Sequence, residues 1–334
     1  MKATQFALVA VLLPLSAIGE EIPPFTGSIE RLAPSFDRLI SRDAQIEVLA
    51  TGFNWSEGPT WYQDRVVFSD VPENTAFQWK EGDPVASVFL KPSGLTGQSD
   101  SDRPQGSNGL ATDADGHLIL CQHGDRRIAR LEKDGSFTSL ADRFEGKRFN
   151  SPNDLVVAKN GSIYFTDPPY GLSGMNDSTA KELDFNGVFH LAPDGTVTAL
   201  IRDLTFPNGI GLSPDEKTLY VAVSDPESTH IVAYTLDGAG TSVSGRRLLF
   251  DAEPLKALPD HPGACDGLAV DTVGNIWTTG PGGVLVLTPE GKHIGSILTG
   301  QRTGNCTFGG PEKSYIYITA DMFLLRVKTR IQGM

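Results

Sequence analysis

Six side chains bearing oxygen recur at one point of a repeating pattern: Glu57, Asn108, Asn153, Asn208, Asp266 and Asn305. The units they open read EGPTWYQDRVVFSD, NGLATDADGHLILC, NDLVVAKNGSIYFTD, NGIGLSPDEKTLYVA, DGLAVDTVGNIWTTG and NCTFGGPEKSYIYITA. Carboxylates and amides brought together and shielded from water need compensation, and a hard cation provides it. Calcium takes about 6 to 8 oxygen ligands in flexible geometry. Glu57 and Asp266 would balance its charge, while Asn153 and Asn208 complete the protein shell and leave positions for water or substrate. No histidine or cysteine heads a unit, which disfavours zinc and copper and leaves magnesium and manganese open.

A single one of these openings would pass as ordinary turn chemistry, because Asn-Gly and Asp-Gly are common turn dipeptides. The set of six is different. Glu57 is a poor turn residue, and turn chemistry does not require one phase in every repeat.

The elements that must position these residues follow from the repeat itself. The openings lie 51, 45, 55, 58 and 39 residues apart, the range of propeller blades, with no long amphipathic helical pattern between them. The third unit divides into four strands, NDLVVAK, SIYFTD, GVFHLAP and TVTALIRD, separated by Asn160-Gly161, a longer polar loop and Asp194-Gly195. The sixth unit is one strand short, and QIEVLA, residues 45–50, is expected to supply it from the N-terminal side. Pairing the first strand with the last blade closes the ring and removes a free edge. The fold class expected is therefore all-β, a six-bladed β-propeller over residues 45–334, preceded by a lead segment over 20–44. A β-sandwich array would leave the six similar openings unexplained. In a propeller the innermost strands line the axial channel, so equivalent strand starts converge at one end of it.

Bulk properties fit a turn-rich globular protein: 334 residues, 36 glycines and 22 prolines with 39% hydrophobic residues. The start, with Lys2, an apolar run from Phe6 to Leu15 and small residues at Ala17 and Gly19, predicts a secretory leader over residues 1–19. The run is short for a retained membrane anchor. The protein is thus expected to be exported, periplasmic or secreted, with no membrane partner after cleavage. Its net charge of −13 supplies no basic stripe and argues against a nucleic-acid partner. Cys121, Cys265 and Cys306 are too few for a disulfide framework and match no zinc spacing. They read as buried small hydrophobes, with a Cys265–Cys306 bridge as the alternative in an oxidising compartment.

Other residues invite functional readings of their own. His123, in CQHGDRRIARL, would stand at the mouth as a substrate contact or proton shuttle, or else be a loop histidine beside solvated arginines. Two long polar segments, KPSGLTGQSDSDRPQGS before Asn108 and PPYGLSGMNDSTAKELDFNG after Asp167, are expected to wall the site and set substrate choice. Asp70, Asp167 and Asp225 end second strands in FSD, FTD and VSD, and their repetition favours strand-linking hydrogen bonds over catalysis. Strand alternation would turn Asp154 away from the axis, leaving Asn153 as the inward residue of the pair. There is no Gly-x-Ser-x-Gly elbow.

WSEGPTW, FNSPNDL, YFTDPPYGL, PNGIGLSPDEKTLYV and CTFGG, in this order, resemble the gluconolactonase and senescence-marker-protein lactonases, above all exported bacterial gluconolactonases. The resemblance runs from about Trp55 to Arg330. It implies a six-bladed propeller with one catalytic divalent cation, most simply calcium, held by Glu57, Asn153, Asn208 and Asp266. Asp266 would also move the proton as water opens the lactone, and Asn108, His123 and Asn305 would contact substrate. The implied substrate is a small sugar lactone, D-glucono-1,5-lactone by default. Other lactones, phosphotriesters and a non-catalytic binding propeller are the alternatives.

Overall fold

The computed structural model describes residues 24–97, 103 and 105–334. The leader expected over residues 1–19 lies outside them. Six antiparallel sheets surround an axis, as the repeat predicts. The innermost strands are Ser56–Tyr62, Ser107–Thr112, Leu155–Val157, Pro207–Leu212, Leu268–Val270 and Thr303–Gly309, one per blade. Neighbouring openings approach closely through them, with Gly209 N–H donating to the Asp266 carbonyl at 2.9 Å and Gly267 N–H to the Gly304 carbonyl at 2.7 Å.

Ring closure occurs as the short sixth unit requires. Ile46–Thr51 pairs antiparallel with Phe323–Lys328, the last strand of the chain, and becomes the outermost strand of the sixth blade. The N-terminal lead also contributes a strand. Ser28–Arg31 adds to the outer edge of the fifth blade against His293–Leu298, so two outer edges are covered by one stretch of chain.

The blades pack through apolar and aromatic faces. In the third, Phe165 and Phe189 stack at 5.3 Å and Phe149 meets both edge-on. All three are fully buried. The cysteines are free and buried, and the Cys306 thiol donates to the Trp277 carbonyl. No Cys265–Cys306 bridge is present.

The strand-ending aspartates do the linking work expected of them. Asp70 accepts the backbone N–H groups of Asn54 and Trp55, and Asp167 those of Asn150 and Ser151. Each acid therefore holds the chain segment just before an opening residue. Asp225 instead accepts from the Thr205 hydroxyl and from Glu227 N–H.

Candidate metal centre at the channel mouth

Regular alternation would send consecutive residues of an inner strand to opposite faces. These strands are not regular at their starts. The pairing of inner and second strand shifts between Glu57 and Thr60, Ser107 and Leu110, Pro207 and Ile210, and Thr303 and Asn305. Such bulges re-aim side chains at strand ends. In the third and fifth blades the inner ladder begins only at Leu155 and Leu268, so Asn153, Asp154 and Asp266 precede it.

The glycine that follows most openings serves close approach between blades. A Cβ on Gly209 would lie 2.1 Å from the Asp266 carbonyl oxygen, and one on Gly267 would lie 1.9 Å from the Asn305 amide carbon. The dipeptides that resemble turns are the points where one blade opening packs on the next.

Three carboxylates meet here. Glu57 is buried, accepts Trp55 Nε1 at 3.2 Å and Gly58 N–H at 3.0 Å, and is pushed up to about 8 by desolvation and by the charge of Asp154. Asp266 is partly exposed as a residue, yet its carboxyl is held well above the usual range by desolvation and by the charges of Glu57 and Asp154. Asp154 is buried and raised to about 7 by desolvation. The charged groups acting most strongly on this trio are its own members.

Asp154 corrects the alternation argument. Its carboxylate accepts Leu155 N–H at 2.9 Å and the Asn305 amide at 3.3 Å, and its charge reaches both Glu57 and Asp266. The chain before Leu155 is outside the regular ladder, so the period of two does not govern it. One signal in the sequence could have found it. The residue after the opening is glycine at 58, 109, 209 and 267, but aspartate at 154.

The amides take up fixed orientations. Asn208 Nδ2 donates to Ser224 Oγ at 2.9 Å, and Ser224 in turn donates to the Cys265 carbonyl at 2.6 Å. Asn153 is buried, with its backbone tied to Thr166 and Gly109. Asn108 is buried and its Oδ1 has no partner. Asn305 spends its amide within the channel, donating to Asp154 and accepting Cys306 N–H.

His123 is buried beneath Gly171, and neither ring nitrogen has a partner. Burial, with the nearby Arg103, lowers it to about 3, so its ring is neutral at ordinary pH. The functional neighbour that sequence reasoning missed is Ser224, on which the Asn208 amide is oriented, and the Tyr170 ring stacks on Phe206 close by. A recess of about 280 Å³ beside Asp266, lined by Trp55, Gly263, Ala264, Arg302 and Thr303, gives a small molecule access.

The donor set fits a hard divalent cation: crowded acids with raised pKa values, an orphaned amide oxygen at Asn108, and oxygen-bearing groups throughout. Asp113, Asp115 and His117 also place ligating atoms within 4.8 Å of one another, on the turn between the second blade's first two strands. There, Asp113 is already engaged by the N–H groups of Asp115 and His117 and by His117 Nδ1 at 3.0 Å. That cluster is a self-satisfied turn.

Fold and mouth together define a six-bladed propeller with an acid-and-amide centre at one end of its axis. The chain belongs to the SMP-30/gluconolactonase/LRE-like family, whose model matches residues 55–321. It is 39% identical to the gluconolactonase of Zymomonas mobilis over 92% of this chain and 87% of that protein. The solved gluconolactonase XC5397 of Xanthomonas campestris superposes with a TM-score of 0.77 at 32% identity, covering 93% of this chain and 99% of the other. Regucalcin of Xenopus laevis is 28% identical over 82% of this chain and 85% of its own length. The protein is accordingly a lactone-hydrolysing enzyme, a hydrolase of carboxylic esters acting on small molecules.

Proposed function

We propose that the enzyme opens a sugar lactone in a calcium-dependent reaction, D-glucono-1,5-lactone to D-gluconate, at the axial mouth. The observation that carries this reading is the trio of Glu57, Asp154 and Asp266, crowded and desolvated with no charge of opposite sign dominating any of them. Relatives named gluconolactonase supply the substrate class.

Glu57, Asn153, Asn208 and Asp266 would hold the cation. When bound, it supplies Lewis-acid polarisation of the lactone carbonyl and stabilises the negative charge that develops on its oxygen. Asp266, partly exposed beside the recess, takes the proton of the attacking water. The water oxygen bonds to the carbonyl carbon, the bond from that carbon to the ring oxygen breaks, and the ring oxygen leaves protonated as the hydroxyl of the aldonate. A carboxylate beside a cation is a weak base, which suffices because a lactone is already reactive. Trp55 fixes Glu57, and Ser224 fixes Asn208. Asn108 and His123 offer unsatisfied polar atoms to substrate hydroxyls. Export, expected from residues 1–19, would place this activity outside the cytoplasm, and N-terminal sequencing of the mature protein tests it.

The deciding assay is pH-stat hydrolysis of glucono-1,5-lactone before chelation, after chelation, and after restoring calcium, magnesium or manganese one at a time. Chelator-sensitive turnover restored best by calcium supports the reading. Rates indifferent to chelator overturn it. Aldonolactones, aryl esters and organophosphates run in parallel identify the preferred electrophile.

A further inference from the structure

Arg302 brings a positive charge to a recess whose other charged wall residue is Asp266. Its side chain is exposed and, among the described residues, makes no hydrogen bond and no ion pair. Asp321 feels its charge from beyond ion-pair distance. The backbone beneath Arg302 is nevertheless held firmly. The hydroxyls of the buried Thr299 and Thr303 lie 2.8 Å apart and 3.1 and 3.3 Å from the Gln301 carbonyl oxygen, and Gln301 N–H donates to Thr299 Oγ1 at 3.2 Å. A fixed loop thus carries a guanidinium with its donors unspent.

The other blades use the same position differently. Three residues before each opening stand Asn54, Gln105, Asn150, Thr205, Gly263 and, in the sixth unit, Arg302. The first four side chains hydrogen-bond within the protein: Asn54 to Glu73, Gln105 to the Arg103 carbonyl, Asn150 to the Asp167 and Phe185 carbonyls, and Thr205 to Asp225. Arg302 is the one charged residue of the set. In the same wall of the recess Trp55 is pinned, its backbone N–H donating to Asp70 at 3.1 Å, its carbonyl accepting Val71 N–H at 3.2 Å and its indole N–H donating to Glu57 at 3.2 Å. A rigid aromatic surface, a carboxylate assigned to the chemistry and an unpaired cation therefore share one small recess.

Charge decides what that guanidinium is for. Glu57, Asp154 and Asp266 around a divalent cation leave the mouth with a net negative charge, which repels an anionic substrate. Arg302 cancels that charge and offers a planar fork of donors suited to a carboxylate or phosphate. We propose that Arg302 is a specificity residue for acidic lactones: alongside neutral ones, the recess accepts sugar lactones that carry a carboxylate or phosphate remote from the scissile carbonyl, with that group on the guanidinium. The inference deepens the lactonase reading of the mouth and rests on it.

The test compares matched lactones on the same enzyme at saturating calcium. Glucaro-1,4-lactone is set against glucono-1,4-lactone, which has a hydroxymethyl group in place of the carboxylate, and 6-phosphoglucono-1,5-lactone against glucono-1,5-lactone. The readout is the ratio of kcat/KM, charged over neutral, within each pair. In Arg302→Gln that ratio should fall about tenfold in at least one pair, through KM. Arg302→Lys keeps the charge and loses the fork, and its ratio should fall about threefold. Both members of a pair meet the same protein, so damage to the fold cancels from the ratio. The pair that responds identifies the bound group as carboxylate or phosphate. A ratio unchanged in Arg302→Gln for both pairs, or a wild type that opens neutral lactones and neither charged one, overturns the role of Arg302 and leaves the lactonase reading standing. No turnover of any of the four lactones overturns both.

Discussion

Two clusters of acids in this protein look alike in composition and differ in physics. Asp113 and Asp115 sit with His117 on a surface turn, where the Asp113 carboxylate is satisfied by two backbone N–H groups and the imidazole. Glu57, Asp154 and Asp266 sit at the channel mouth, desolvated and repelling one another. Closeness of ligating atoms favours the turn, but unsatisfied charge favours the mouth. A cation is demanded only where the protein has left negative charge without water or partner.

The largest effects should separate the two clusters outright. Glu57→Gln and Asp266→Asn should each lower kcat/KM by about 10³-fold or more, one by weakening the cation and the other by removing the proton acceptor as well. The double variant Asp113→Asn with Asp115→Asn should stay within about twofold of wild type, because an exposed turn contributes little. Steady-state kinetics on glucono-1,5-lactone read both. A turn variant that abolished chelator-sensitive turnover would exchange the roles assigned to the two clusters.

Proton linkage gives the next contrast. Glu57 and Asp154 are raised in the folded protein, so between about pH 4.5 and 8 the native state holds more protons than the unfolded chain. Stability of the cation-free protein is therefore greatest at the acid end of this window, as far as these groups are concerned, and falls as pH rises through about 7 to 8. Cation binding must displace those protons and should tighten over the same interval. Thermal melts with and without calcium should accordingly diverge as pH increases. A calcium-induced rise in Tm that is constant from pH 5 to 8 would mean that the trio is not the binding site.

A smaller effect isolates the acid that alternation hides. Asp154→Asn keeps an acceptor for Leu155 N–H, gives up the one that meets the Asn305 amide, and removes one of three like charges. Cation-free protein should melt a few degrees higher and bind calcium more weakly. Smallest of all, His123→Gln should change KM by about threefold and leave the pH profile of kcat/KM between 5 and 8 where it was, since the imidazole is already neutral there.

How far the sequence reached can be judged from particular residues. The ring closure by residues 46–51 was legible because the sixth unit lacks a strand and a propeller cannot tolerate an open edge. Linking roles for Asp70 and Asp167 were legible because their positions repeat. Asp154 was not, since period-two reasoning fails where a strand start is irregular, even though an aspartate in a glycine position marked it. Tyr170 was legible only as part of a long segment, because nothing local in YFTDPPYGL states that its ring will stack on Phe206.

The sequence alone determined the number of blades, the manner of closure and the six oxygen-bearing positions that converge, because these depend on periodicity and on backbone pairing that every repeat shares. Tertiary structure alone decided which acids crowd together and which amides are spoken for. Those outcomes depend on bulges of one or two residues and on contacts between blades more than forty residues apart, such as Asn305 with Asp154. No local pattern encodes the sum of desolvation and repulsion that sets Glu57, Asp154 and Asp266 apart from the other acidic side chains.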